Sequence, residues 1–310
     1  MRTFQSQPQT SRILILCALV FFGACRPNAT LPDNSSPQYN ELVRTFYIGL
    51  AALEVGHDVQ ADSKLAQFTQ LAPAEPAGWA NWGLLALRQK NFDVAAERLE
   101  RARSLASDNS NIYYLVGLLE SMRGKTAEAI AALRKSVELD PKNLLATYKL
   151  AEEVEREGND EEFQRLVQQI LNAQPDNLAA LLELSRISAK RRDTATLKST
   201  VAKITARASA WPPEVQQQVT GLEQAANSGD VGSAATRTTF LRNVLVRVPE
   251  YQRGLAAIKP PPGEEAVPFR SFLKLEAPVF KTAPPDLETR LHQACASRAH
   301  RIVGSLRRLL

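Results

Sequence analysis

From Leu42 onward, apolar residues fall at helical spacing in two blocks, separated by a short polar turn carrying Gly56, Gly124 or Gly158, and the whole pattern returns after 34 residues. The period runs five times, starting at Leu42, Pro76, Ser110, Leu144 and Leu178 and closing at Trp211, with no insertion or deletion. Small residues hold the eighth place (Gly49, Gly83, Gly117, Ala151, Ser185), and Ala61, Ala95 and Ala129 hold the twentieth, where two helices must approach closely. Leu65, Leu99, Leu133, Val167 and Val201 fill the twenty-fourth place, and Pro73, Pro141 and Pro175 stop the second helix of three units at the thirty-second. Each unit therefore reads as helix, turn, helix. One such unit cannot bury its apolar face alone, so the pattern predicts an all-α solenoid of stacked repeats over 42–211.

The residues that carry this register resemble a known family. Trp79-x-x-Trp82-Gly83-x-x-Ala86 followed by Ala95-x-x-x-Leu99 is similar to the tetratricopeptide repeat, and Gly117, Ala129, Leu133 and Pro141 give the next copy the same skeleton. The fourth and fifth copies depart from it, with Phe163 and Leu197 in place of alanine and Trp211 in place of proline. The resemblance implies a right-handed α-solenoid whose first helices line a concave groove. Carried onto this chain, the groove positions of the family are Phe46, Leu50, Leu84, Leu87, Tyr114, Leu118, Met122, Tyr148 and Leu182, with Glu54, Arg88, Glu152, Arg156, Arg186 and Lys190 as charged members. Such a surface suits a protein or peptide partner, an extended peptide or an amphipathic helix. Each leucine has a second role open to it, packing between neighbouring helices, whereas Tyr114 and Tyr148 are expected to show their hydroxyls to the groove. The family's carboxylate clamp is not expected: Asn81 matches one of its places, but Phe46, Leu50, Asn111 and Leu115 stand at the others.

Beyond Trp211 the helical character continues. Residues 212–250 read as a divergent helical pair, Val215 to Asn227 and Ala234 to Val248, joined by Ser228-Gly229-Asp230 and closed by Pro249, that caps the open end of the stack. Residues 251–288 carry Pro260-Pro261-Pro262, Pro268, Pro278 and Pro284-Pro285 and read as a disordered proline-rich linker. This stretch resembles the connector of exported bacterial proteins in which the repeats precede an FG-GAP propeller, which implies that the chain is the recognition arm of something larger; a pilotin-like envelope-assembly lipoprotein, which has no need of the proline-rich extension, is the other alternative to a scaffold. Residues 289–310 hold five arginines and no acid. Two accounts fit them, a basic amphipathic end or a frameshifted, non-native reading.

The N-terminus bears on the compartment. Residues 1–24 combine Arg2 and Arg12 with an apolar run from Ile13 to Gly23, too short for about 30 Å of hydrocarbon and so a signal peptide. Phe22-Gly23-Ala24-Cys25 resembles a bacterial lipobox, which implies lipidation of Cys25, anchoring to a membrane and an extracytoplasmic position. Arg26 rather than aspartate favours the outer membrane in a Gram-negative cell. Residues 25–41 would then be a flexible tether.

Charge and chemistry narrow the function. The net charge of +5 invites a nucleic-acid reading, but the five repeats hold 22 basic and 22 acidic residues, so no nucleic-acid partner is expected. Unit four has three basic and eight acidic residues and unit five has seven basic and two acidic, which predicts pairing between them or, alternatively, a positive groove end at Arg186, Lys190, Arg191 and Arg192. The dense carboxylates Glu152, Glu153, Glu155 and Glu157 read as a solvated face. The three histidines, His57, His292 and His300, form no constellation with a nucleophile or metal-ligand spacing, and glycine-rich phosphate loops are missing. An enzyme, a cofactor, a metal site or a small-molecule substrate is therefore not expected.

Overall fold

The computed structural model describes residues 31–33 and 35–259, so the expected signal peptide, Cys25, residues 260–288 of the expected linker and the arginine-rich end lie outside the described residues. Among the described residues there are thirteen α-helices, one 3-10 turn and no strand. Unit one comprises α1 (Pro37–Glu54) and α2 (Asp58–Leu71), and unit two α3 (Pro76–Arg88) and α4 (Phe92–Leu105). Unit three comprises α5 (Ser110–Met122) and α6 (Thr126–Leu139), unit four α7 (Leu144–Arg156) and α8 (Asp160–Ala173), and unit five α9 (Leu178–Lys190) and α10 (Thr194–Thr205). A 3-10 turn at Ala208–Ala210 leads to α11 (Pro213–Ser228), α12 (Val231–Leu245) and α13 (Pro249–Ile258).

The register of the sequence is the register of the helices. The first helices of units two to five begin at the first place of the period, and every second helix begins at the seventeenth. Asn109, Asn143 and Asn177, the last residue of units two to four, each accept a hydrogen bond from an amide of the helix that follows, at 3.1, 3.1 and 3.0 Å. These caps satisfy orphan N–H groups that water would otherwise have to reach. The turn inside each unit places its fifteenth residue at positive φ: Gly56, Gly124 and Gly158 at 73°, 75° and 85°, but Lys90 and Arg192 at 58° and 57°. Glycine meets that conformation without a Cβ clash, and the two long side chains do not.

The seam inside each unit explains the small residues at the eighth place. A Cβ on Gly83 would stand 2.8 Å from the Leu99 side chain, and one on Gly117 would stand 2.5 Å from Leu133. In units four and five the eighth place gains atoms, as Ala151 and Ser185, and the twenty-fourth loses them, as Val167 and Val201. All four are fully buried, so the volume is exchanged across the seam instead of added. Phe163 and Leu197 fill the alanine place of the first three units and are buried as well.

Successive first helices touch one another, α1 with α3, α3 with α5 and α5 with α7, and so form the inner row of the stack. The capping pair continues the stack through α11 on α10 and adds a contact of its own, α12 on α9, where the Ser185 and Thr238 hydroxyls bond at 3.1 Å. Three expected boundaries move. Residues 37–41, placed in the tether, belong to α1, because Pro37 sits in its first turn and the Ser36 hydroxyl caps it at Tyr39 N, 3.1 Å. Pro249, read as the stop of the capping pair, instead opens α13, since the first turn of a helix has no use for the missing N–H. Residues 251–258, placed in the linker, are consequently helical and lie on α9 and α7.

Candidate partner groove

The inner face has two parts with different surfaces. Over units one to three the groove positions are apolar and mostly buried: Phe46, Leu50, Leu84 and Leu118 pack between helices, with the Phe46 ring 4.9 Å from that of Phe68. Leu182 in unit five is buried too. The close approach of neighbouring first helices accounts for this, and it gives these leucines their structural role. Arg88 turns its guanidinium to the Leu53 carbonyl at 3.1 Å and joins units one and two. Met122 is the large apolar groove candidate that stays open, at 43 % exposure.

The expectation for the two tyrosines is corrected. Tyr114 and Tyr148 are 5 % and 8 % exposed. For Tyr148 the cause is α13: Lys259, just past its end, lies 5.9 Å from the ring centroid and pairs with Glu152. Burial, with Glu183 and Glu152 nearby, pushes the Tyr148 hydroxyl far above its ordinary range.

The opposite charges of units four and five pair with one another. Glu155 accepts both Nη atoms of Arg186 at 2.7 and 3.0 Å, Glu183 accepts its Nε at 2.8 Å, and Lys190 reaches Asp160 at 2.6 Å. Burial works against the Arg186 charge, but the hydrogen bonds of Glu155 and the charge of Glu183 hold its pKa above the usual value. These contacts realise the expected pairing between the two units, and Arg186 and Lys190 form a neutralised joint in place of the alternative, a positive groove end. The solvated face read from the glutamates holds at Glu157 alone: Glu152 and Glu155 are half-buried and paired, and Glu153 departs furthest. Glu153 is fully buried and is held by Lys149 at 3.0 Å and by Arg156 at 2.7 Å, while Ser121 of unit three donates to it. Arg156 keeps about half its side chain in solvent while making that bond.

Sequence reasoning missed the residues that occupy this part of the groove. Asn177 caps α9 through its oxygen and donates its Nδ2 to the Gly254 carbonyl of α13 at 2.9 Å. Trp211 donates its indole N–H to Glu250 at 3.2 Å, and Arg207 approaches the same carboxylate at 3.6 Å. Tyr251 and Ile258, seven residues apart on one helical face, were the available signal. Among the described residues no cluster of three or more metal-ligating side chains occurs, and no helix is long and apolar enough to cross a membrane.

Two family models described as tetratricopeptide repeat match, over residues 81–143 and 122–187. A search of the curated proteins finds no match. Among solved structures, Pseudomonas aeruginosa pilF aligns at 16% identity over 71% of this chain and 99% of its own, with a TM-score of 0.51. The Naa15/Naa10 complex bound to HypK aligns at 15% identity over 72% of this chain and 39% of its own, TM-score 0.50, and the type IV pilus biogenesis factor PilW at 18% over 71% and 100%, TM-score 0.46. Identities this low speak for the fold alone.

Proposed function

Because this chain is a tetratricopeptide-repeat protein, we propose that it is a non-catalytic scaffold, held by lipid on Cys25 at the extracytoplasmic face of a membrane, that takes a protein or peptide partner on the inner face of its stack. The observation that carries the binding part is the inner face itself: a row of first helices, α1 to α7 in successive contact, and a helix, α13, that lies on the first helices α7 and α9 of units four and five. The anchoring part rests on the sequence Phe22-Gly23-Ala24-Cys25 and on the short apolar run before it. Two or three acyl chains give stable membrane attachment where a single chain is marginal. The placement in the outer membrane rests on Arg26 in the same way.

Photo-crosslinking tests the binding face. A photoreactive residue at Met122, on the first helix of unit three, should yield adducts, and one at Val59, exposed on the second helix of unit one, should not. Adducts from Val59 alone would place the partner on the outer face and overturn the reading. Cys25→Ser is expected to move the protein from the membrane to the soluble fraction, and unchanged membrane association would remove the anchor.

A further inference from the structure

We propose that α13 fills a helix-binding site on the inner face of units four and five, and that the partner of this site is an amphipathic helix with an acidic residue at its start and a basic one after its end, which displaces α13; this rests on the scaffold reading above. The packing of α13 is that of a ligand rather than of a core element. Of its ten residues only Tyr251 and Ile258 are buried, and Gln252, Arg253, Ala256 and Ala257 face solvent. The remaining contacts are those by which a groove holds a peptide: a main-chain carbonyl taken by Asn177, a cation over the Tyr148 ring, an ion pair from Lys259 to Glu152 and a carboxylate, Glu250, between Trp211 and Arg207.

Gly254 sets how close the helix comes. A Cβ there would stand 2.9 Å from Asn177 Oδ1 and 3.3 and 3.4 Å from the Leu178 and Ala179 amide nitrogens at the start of α9. The site therefore asks for a small residue at the crossing, an aromatic residue three places before it and an aliphatic one four places after it. A carboxylate at the helix start, for Trp211 and Arg207, and a basic residue after its end, for Glu152, complete the pattern. Covalent tethering keeps α13 at high effective concentration, so a partner must either carry more contacts or meet an opened form.

Hydrogen exchange on the full chain reads the first half of the claim. Amides of α13 are expected to exchange through local opening at least tenfold faster than those of α7 and α9; equal protection would make α13 part of the core and overturn the proposal. The second half uses a labelled synthetic peptide of residues 247–260. The full chain carrying Gly254→Leu, its own helix unseated, should bind the peptide at least tenfold more tightly than the unaltered chain, and a Lys259→Glu peptide should lose that gain. Equal binding by both chains, with α13 exchange raised in the variant, would overturn the site. Opening accompanied by a doubling of mass would assign it to a second copy and overturn the separate partner. Crosslinking at Met122 is independent of all these outcomes.

Discussion

Units two and three and units four and five share one period but hold together by different means. In the first pair glycine faces leucine across the seam, and an ion pair between the units opens to solvent on one side, where Arg123 meets a fully exposed Asp93 at 2.8 Å. In the second pair alanine and serine stand opposite valine, a glutamate is buried, and a bidentate arginine joins the two units. A repeat fixes where helices start and how much volume each seam holds. It leaves open whether an interface is closed by apolar fit or by charge, and that choice decides what the inner face can bind.

The largest effect is expected at Glu153. Glu153→Ala leaves Lys149 and the Ser121 hydroxyl without their buried partner, and should cost about 3 kcal/mol in urea unfolding. Asp93→Ala, the corresponding deletion in unit two, should leave the midpoint unchanged, and a similar loss from both would erase the distinction between the two pairs. The seam comes next. Gly117→Ala should cost about 1–2 kcal/mol, since the strain of a Cβ at 2.5 Å from Leu133 exceeds the gain in helix propensity. Combining it with Leu133→Val installs the unit-four pair in unit three, and a double-mutant cycle should show a favourable coupling of about 1 kcal/mol. Strict additivity would mean that the exchange of volume across the seam is accidental.

The smallest effect concerns the turns. Lys90→Gly and Arg192→Gly should each stabilise by up to about 1 kcal/mol, because both residues sit at positive φ where units one, three and four already have glycine. A loss at either position would show that its side chain has a use that outweighs the backbone.

Most of the solenoid was legible because its determinants are local. The starts of nine helices follow from a 34-residue register, and the burial of Leu65, Leu99 and Leu133 follows from their place opposite small residues. What stayed hidden depends on contacts between distant segments. Tyr148 reads as a groove residue until α13 returns over it from about a hundred residues away, with Lys259 contacting both Tyr148 and Glu152. Pro249 reads as punctuation either way, and only the packing of Tyr251 and Ile258 decides that a helix follows it. Glu153 reads as one of four surface acids, and its burial depends on Ser121 in the preceding unit.

Trp211 offers the most direct test of whether the inner face of units four and five is an exchangeable helix site. Its indole bonds to Glu250 of α13, whereas Trp79 and Trp82 lie in unit two and bond to Pro73 and Asp62. In the full chain carrying Gly254→Leu and labelled with fluorotryptophan, fluorine NMR should show three resonances, and titration with the peptide of residues 247–260 should return the Trp211 resonance to its position in the unaltered chain while leaving the other two in place. A Trp211 resonance that stays fixed at saturating peptide, or a shift shared by all three tryptophans, would contradict an inner face that trades α13 for a partner helix.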